Sequence, residues 1–136
     1  MAFIDILKAK AKANKKTIVL PETEDRRTYE AAAQILKEGF ADIVLVGSEE
    51  AIKKGSEGLD ITGAIIVDPA ISEKTQGYID KLVELRSKKG MTPEQAKEIL
   101  LNQYLYYGVM MVKMGDADGM VSGACLCGIS LEIRLL

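Results

Sequence analysis

The sequence contains no histidine, no tryptophan and only two cysteines. Without histidine, the chain builds neither a Ser-His-Asp nor a Cys-His catalytic arrangement, and it has no His-containing metal site. Cys125 and Cys127 form a C-x-C pair, which matches neither a disulfide framework nor a zinc-binding spacing. We therefore expect reduced thiols in a cytoplasmic protein.

Aromatic residues make up 5% of the chain, too few for a surface on which nucleic-acid bases stack. The formal net charge is −2, whereas nucleic-acid-binding domains are usually basic. No apolar run approaches the length of about 18 residues that a transmembrane helix needs. The lysine-rich segment 2–14 resembles a membrane-surface helix, but a solvated amphipathic helix is the favoured interpretation. We expect neither a nucleic-acid partner nor a membrane partner.

What the chain does contain is an ordinary globular composition, with 48% hydrophobic and 28% charged residues in 136 positions. Short apolar runs rich in β-branched residues predict strands at 17–20, 42–46, 64–67 and 119–123. Helical periodicity predicts helices at 2–14, 25–38, from 49 to the glycines at 55 and 58, 72–89, and 92–114, the last in two pieces broken near Asn102 or Gly108.

Capping residues mark several of these boundaries. Gly39 and Gly90 stand where C-cap glycines belong, and Ser48 and Ser72 are predicted N-caps. The segment 92–95 (Thr-Pro-Glu-Gln) predicts a capping box with proline at the first helical position.

Strands that alternate with helices and are apolar throughout are typical of a parallel sheet covered on both faces. The predicted fold class is therefore α/β, a three-layer αβα arrangement with a mostly parallel sheet. Ligands of such sheets bind at the carboxyl ends of the strands, which here are segments 21–25, 47–48, 68–69 and 122–123.

Three segments carry candidate chemistry. Segment 21–27 places Arg26 and Arg27 at a helix start, but its three carboxylates favour a role in helix stabilisation over anion binding. The basic cluster around Arg86 is consistent either with a helix C-terminus or with an anion clamp. Segment 119–124 is a glycine-rich loop without either nucleotide-binding fingerprint, so by itself it is a weak candidate for a phosphate cradle.

Taken together, four segments resemble the N-terminal part of the phosphate acetyltransferase family in order and spacing. They are TIVLPETEDRRTYEAAAQILKEGFADIVLVG (17–47), IVDPAISEK (66–74), ELRSKKGMTPEQAKEIL (84–100) and VMMVKMGDADGMVSGA (109–124). The resemblance implies a fold of two α/β domains, of the isocitrate/isopropylmalate dehydrogenase-like kind, with the active site in the cleft between them.

The same resemblance implies a reaction. Family members transfer acetyl between CoA and phosphate by direct attack of the CoA thiolate, as cytoplasmic homo-oligomers that need no metal or other cofactor. CoA, phosphate and acetyl phosphate are the expected partners. Arg86 matches the arginine of the family's E-L-R-x-x-K-G motif, implicated in CoA or phosphate binding, and Ser122 and Gly123 match its V-S-G-A loop. These three residues are the predicted substrate-binding residues, and no catalytic residue is assigned.

The resemblance ends at Ala124, where the family continues with His-Ser and then Thr-Leu-Arg-Pro. Residues 125–136 depart from this family pattern and are predicted to be a divergent tail, within which residues 129–135 alternate apolar and polar side chains. We therefore expect residues 1–124 to be an incomplete N-terminal domain, the second domain to be absent, and the chain alone to transfer little or no acetyl. The alternatives are a non-catalytic α/β module that binds an anion or CoA weakly, and an acyltransferase like phosphate butyryltransferase.

Overall fold

The computed structural model of the chain describes residues 2–123, in which four parallel strands form one sheet. The strands are β1 (Thr17–Leu20), β2 (Asp42–Val46), β3 (Ile65–Val67) and β4 (Gly119–Met120), in the order β3-β2-β1-β4. The tail predicted at 125–136 lies outside the described residues.

Helices precede, connect and cover the strands. They are α1 (Phe3–Ala13), α2 (Arg26–Glu38), α3 (Glu49–Gly55), α4 (Thr75–Leu85), α5 (Pro93–Asn102) and α6 (Tyr104–Lys113), with a 3₁₀ turn at Ser87–Lys89 after α4. The predicted long helix 92–114 is indeed in two pieces, which meet at Gln103. The element order is that of an α/β protein, as the apolar pattern predicts.

The sheet separates two apolar clusters because successive strand side chains point to opposite faces. Val19 and Val44 face the cluster formed with α4, α5 and α6, while Ile43 and Leu45 face the cluster formed with α2 and α3. All four side chains are at most 2% exposed. The three-layer αβα prediction is confirmed for the described residues.

The predicted start and end of the helix at 72–89 are wrong. Ser72 caps no helix; its Oγ accepts a hydrogen bond from the Lys74 N–H within a turn, at 3.3 Å, and α4 begins at Thr75. The helix ends at Leu85, and a separate 3₁₀ turn follows, which Gly90 ends with a left-handed φ of 73°.

Strand β4 is two residues long, whereas the sequence predicts five. The Val121 N–H donates to the Val19 carbonyl, at 3.0 Å. In a parallel ladder the next hydrogen bond would run from the N–H of residue 21 to the Val121 carbonyl. Residue 21 is proline, which has no N–H. Pairing therefore stops here, and residues 121–123 leave the sheet as a loop at the carboxyl end of β1.

Helix α1 is held to the rest of the protein by a polar contact. Lys8 Nζ lies 2.8 Å from the Glu38 carboxylate and 5.7 Å from the centre of the Phe40 ring. No residue of α1 is buried, and Phe3 is 73% exposed. Within residues 2–123, no helix is long and apolar enough to cross a membrane.

Candidate functional site

The loop between β1 and α2, residues 21–25, is fastened at the carboxyl end of the sheet. The Thr23 hydroxyl donates to the Val46 carbonyl at 2.6 Å, and the Tyr29 hydroxyl donates to the Thr23 carbonyl at 2.5 Å. Burial raises the pKa of Tyr29, so its hydroxyl remains a donor. Pro21 is fully buried. The loop is therefore rigidly placed relative to the ends of β1 and β2.

Glu22 links this loop to the predicted substrate loop after β4. Its side chain is buried, with 3% exposure, and its Oε2 accepts the Gly123 N–H at 3.1 Å. Ser122 and Gly123 are exposed, and Gly123 has a φ of 127°, which favours glycine. Because the Gly123 N–H already serves a carboxylate, it is not a free donor for a phosphate cradle.

A cleft of about 400 Å³ opens beside the same loop, between Pro21 and Glu24 on one side and the α5–α6 junction at 101–105 on the other. Burial raises the pKa of Tyr104 in this cleft, and the carboxylates of Asp68 and Glu24 raise it further. The negative potential that this implies disfavours a phosphate group here.

The two arginines at the start of α2 serve the fold, as the charge pattern favours. Asp25 caps the helix by accepting the Arg27 N–H at 2.9 Å, and the Arg27 guanidinium lies 2.7 Å from the same carboxylate. The hydrogen bonds from Arg27 lower the pKa of Asp25. Arg26 donates to the carbonyls of Gly55 and Glu57, at 3.2 and 3.0 Å. Both guanidinium groups are therefore engaged within the domain.

Arg86 has a different environment. Its backbone lies between α4 and the 3₁₀ turn, where its N–H donates to Leu82 and its carbonyl accepts from Lys89, at 3.0 and 2.9 Å. Its Nε and Nη1 atoms are buried, and within the described residues they have no hydrogen-bond partner. The cluster follows the last turn of α4, which itself contains no basic residue. Interaction with the helix dipole is thus a weaker explanation for Arg86 than the sequence suggests.

The three predicted site residues follow two different elements of the fold. Arg86 follows α4, whereas Ser122 and Gly123 follow β4, and no hydrogen bond between these two places occurs within residues 2–123. Sequence reasoning missed Glu22, because nothing in its pattern distinguishes this carboxylate from Glu24 two positions later. Among residues 2–123, no group of three or more side chains is placed so that it could hold a metal ion.

Comparisons with known proteins agree with this architecture. The sequence model of the family described as phosphate acetyl/butaryl transferase matches residues 2–127. The phosphate acetyltransferase of Thermoanaerobacterium thermosaccharolyticum is 52% identical over 124 residues, and that of Acetivibrio thermocellus is 49% identical over the same length. Each match covers 91% of this chain, but only 38% and 37% of the relatives, so the chain spans less than two fifths of their length.

Solved structures give the same result. The EutD phosphotransacetylase from Staphylococcus aureus superposes with a TM-score of 0.84 at 36% identity, over 97% of this chain and 40% of that one. A phosphotransacetylase from Streptococcus pyogenes gives 0.85 at 31% identity, over 99% of this chain and 42% of that one. The chain therefore belongs to the phosphate acetyl/butaryl transferase family.

Proposed function

We propose that this chain supplies the CoA- and phosphate-binding part of a phosphate acetyltransferase, which converts acetyl-CoA and phosphate into acetyl phosphate and CoA in the cytoplasm. The family description includes butyryl transfer, but the two relatives above are named as acetyl enzymes, which favours acetyl. CoA is a substrate in this proposal, and no metal or other cofactor takes part.

The observation that carries the proposal is that Nε and Nη1 of Arg86 are buried and have no hydrogen-bond partner within residues 2–123. A buried cation without an acceptor is costly, and a bound anion removes that cost. Guanidinium groups match phosphate oxygens with two parallel hydrogen bonds and keep their charge at every physiological pH. The phosphates of CoA, or inorganic phosphate, have this chemistry. Ser122 takes the second place, through its exposed hydroxyl at the end of β4.

Calorimetry of the purified chain with CoA, phosphate and acetyl phosphate tests this role. Arg86→Ala is expected to weaken binding about 10- to 100-fold, the usual effect of losing charge-assisted hydrogen bonds. Arg86→Lys keeps the positive charge but loses the planar pair of N–H donors, and its affinity is expected to lie between those of Arg86→Ala and wild type. Arg27→Ala is the control, since its guanidinium is already paired with Asp25. Equal affinity in Arg86→Ala and wild type would overturn the role of Arg86.

A thiol-release assay separates binding from turnover. The resemblance implies a site between two domains, whereas the described residues form a single sheet with its two helical layers. We expect the chain alone to bind CoA without CoA-dependent turnover above the blank. Turnover well above the blank would contradict that expectation.

A further inference from the structure

Glu22 is the buried acid at the carboxyl end of the sheet, and nothing in the proposed reaction uses it. We propose that Glu22 is a positioning residue, whose carboxylate holds loop 121–123 in its substrate-binding conformation through the Gly123 N–H. This inference rests on the proposed function, because it takes loop 121–123 as part of the substrate site.

The first support is the rigidity of the segment that carries Glu22. Pro21 on one side is buried, and Thr23 on the other is fixed by its own hydroxyl and by Tyr29. The Glu22 carbonyl also accepts the Asp25 N–H, at 3.1 Å. With its backbone fastened at these points, the Glu22 side chain starts from a fixed position at the end of β1.

The second support is the small number of sheet hydrogen bonds that hold loop 121–123. The last sheet bond of this loop comes from the Val121 N–H, and Pro21 prevents a further one. The next described contact is the 3.1 Å bond from the Gly123 N–H to Glu22 Oε2. A hydrogen bond to a carboxylate is about twice as strong as one between neutral groups. Glu22 thus replaces the missing sheet pairing and places the Ser122 hydroxyl.

Two conservative variants separate the effect of the length of the Glu22 side chain from the effect of its charge. Glu22→Gln keeps the length of the side chain and an acceptor oxygen, whereas Glu22→Asp keeps the charge but is one methylene shorter. Glu22→Ala loses both, and Glu50→Ala removes an exposed carboxylate elsewhere as a control. Circular dichroism establishes that each variant is folded before it is compared.

The first measurement is hydrogen exchange of the Gly123 amide by NMR. Glu22→Asp and Glu22→Ala are expected to exchange about 10-fold faster or more, the usual effect of losing a hydrogen bond to a charged group, while Glu22→Gln and Glu50→Ala stay within a few-fold of wild type. If Glu22→Ala fails to fold, the contrast between the Gln and Asp variants decides. Equal exchange in those two variants would overturn the positioning role.

The second measurement is the affinity for CoA and phosphate by calorimetry. We expect Glu22→Asp to weaken binding several-fold and Glu22→Gln to restore it, because misplacing a binding group lowers affinity even when the group itself is retained. Binding that is unchanged in every Glu22 variant overturns this inference and leaves the proposed function standing. A wild-type chain that binds neither ligand overturns the proposed function, and the exchange rates alone then decide whether Glu22 holds the loop.

Discussion

At the scale of single residues, Asp116 joins two elements that are distant in sequence. Its carboxylate accepts the Tyr78 hydroxyl at 2.5 Å and pairs with Lys74, so it ties the start of α4 to the turn before β4. The Tyr78 ring packs edge-on against Tyr107, with ring centres 5.1 Å apart. The turn that leads into β4 and loop 121–123 is therefore anchored by a buried aromatic pair and a carboxylate.

This anchor predicts a pH-dependent effect of Asp116→Asn. The hydrogen bond from Lys74, and then that from Tyr78, lowers the pKa of Asp116 below its ordinary value of 3.8. As the pH falls, Asp116 therefore takes up its proton in the unfolded chain before it does so in the folded protein. The ionised Asp116 stabilises the fold above pH 3.8, and this stabilisation is lost as the pH falls below that value. We expect the free energy of unfolding of the variant to be about 1 kcal/mol lower than that of wild type at pH 7. The difference should shrink as the pH falls from about 5 to below 3.8.

Urea unfolding of wild type and variant across that pH range measures the effect. Asp80→Asn, on the exposed side of α4, is the control and is expected to leave stability unchanged at both ends of the range. A stability difference for Asp116→Asn that persists undiminished in acid would show that the carboxylate charge contributes nothing.

At the scale of elements, local signals predict a helix boundary only where no competing turn lies beside it. Thr92 and Ser72 both have the side chain of an N-cap. Thr92 forms the full capping box, in which its Oγ1 accepts the Gln95 N–H at 3.2 Å and Gln95 Oε1 accepts the Thr92 N–H at 3.1 Å. At Ser72, the Asp68 carbonyl accepts the N–H of Ile71 and of Ser72, so a turn delays the helix.

Thr92, which caps α5, and Ser72, which caps no helix, give a matched stability test. Thr92→Ala is expected to cost about 1 kcal/mol, because it leaves a helix N–H of α5 without its acceptor. Ser72→Ala is expected to cost less than about 0.5 kcal/mol, because its bond lies outside the helix. Thermal unfolding of both variants checks the difference, and a cost at Ser72 equal to that at Thr92 would contradict this account of the α4 start.

For the candidate site too, local patterns predict the position in the fold but not the contacts between residues distant in sequence. The apolar runs predict the strands and their carboxyl ends, and therefore the neighbourhood of loop 121–123. They do not predict that Glu22 is buried while Glu24 is exposed, nor that Glu22 bonds to Gly123, 101 residues away. Nor does any local pattern show that two buried guanidinium nitrogens of Arg86 lack an acceptor among residues 2–123, while the guanidinium groups of Arg26 and Arg27 have partners.

At the scale of the whole molecule, two sets of apolar side chains have different consequences. One set fills the two clusters on either side of the sheet, where Ile52 of α3 is fully buried. The other set lies on α1, whose large apolar side chains are all at least 40% exposed, Leu7 being 43% exposed. Only the first set removes much apolar surface from water, so only the first contributes strongly to folding.

Leu7→Ala and Ile52→Ala test this division with similar losses of side-chain volume. Ile52→Ala is expected to lower the free energy of unfolding by about 2–5 kcal/mol, since it removes transfer energy and leaves a cavity. Leu7→Ala is expected to change it by less than about 0.5 kcal/mol. Urea unfolding of both variants gives the two values, with the denaturant slope confirming that each unfolds in a comparable transition. A loss at Leu7 as large as that at Ile52 would mean that the outer side of α1 is covered in solution, because an exposed leucine has no cavity to leave.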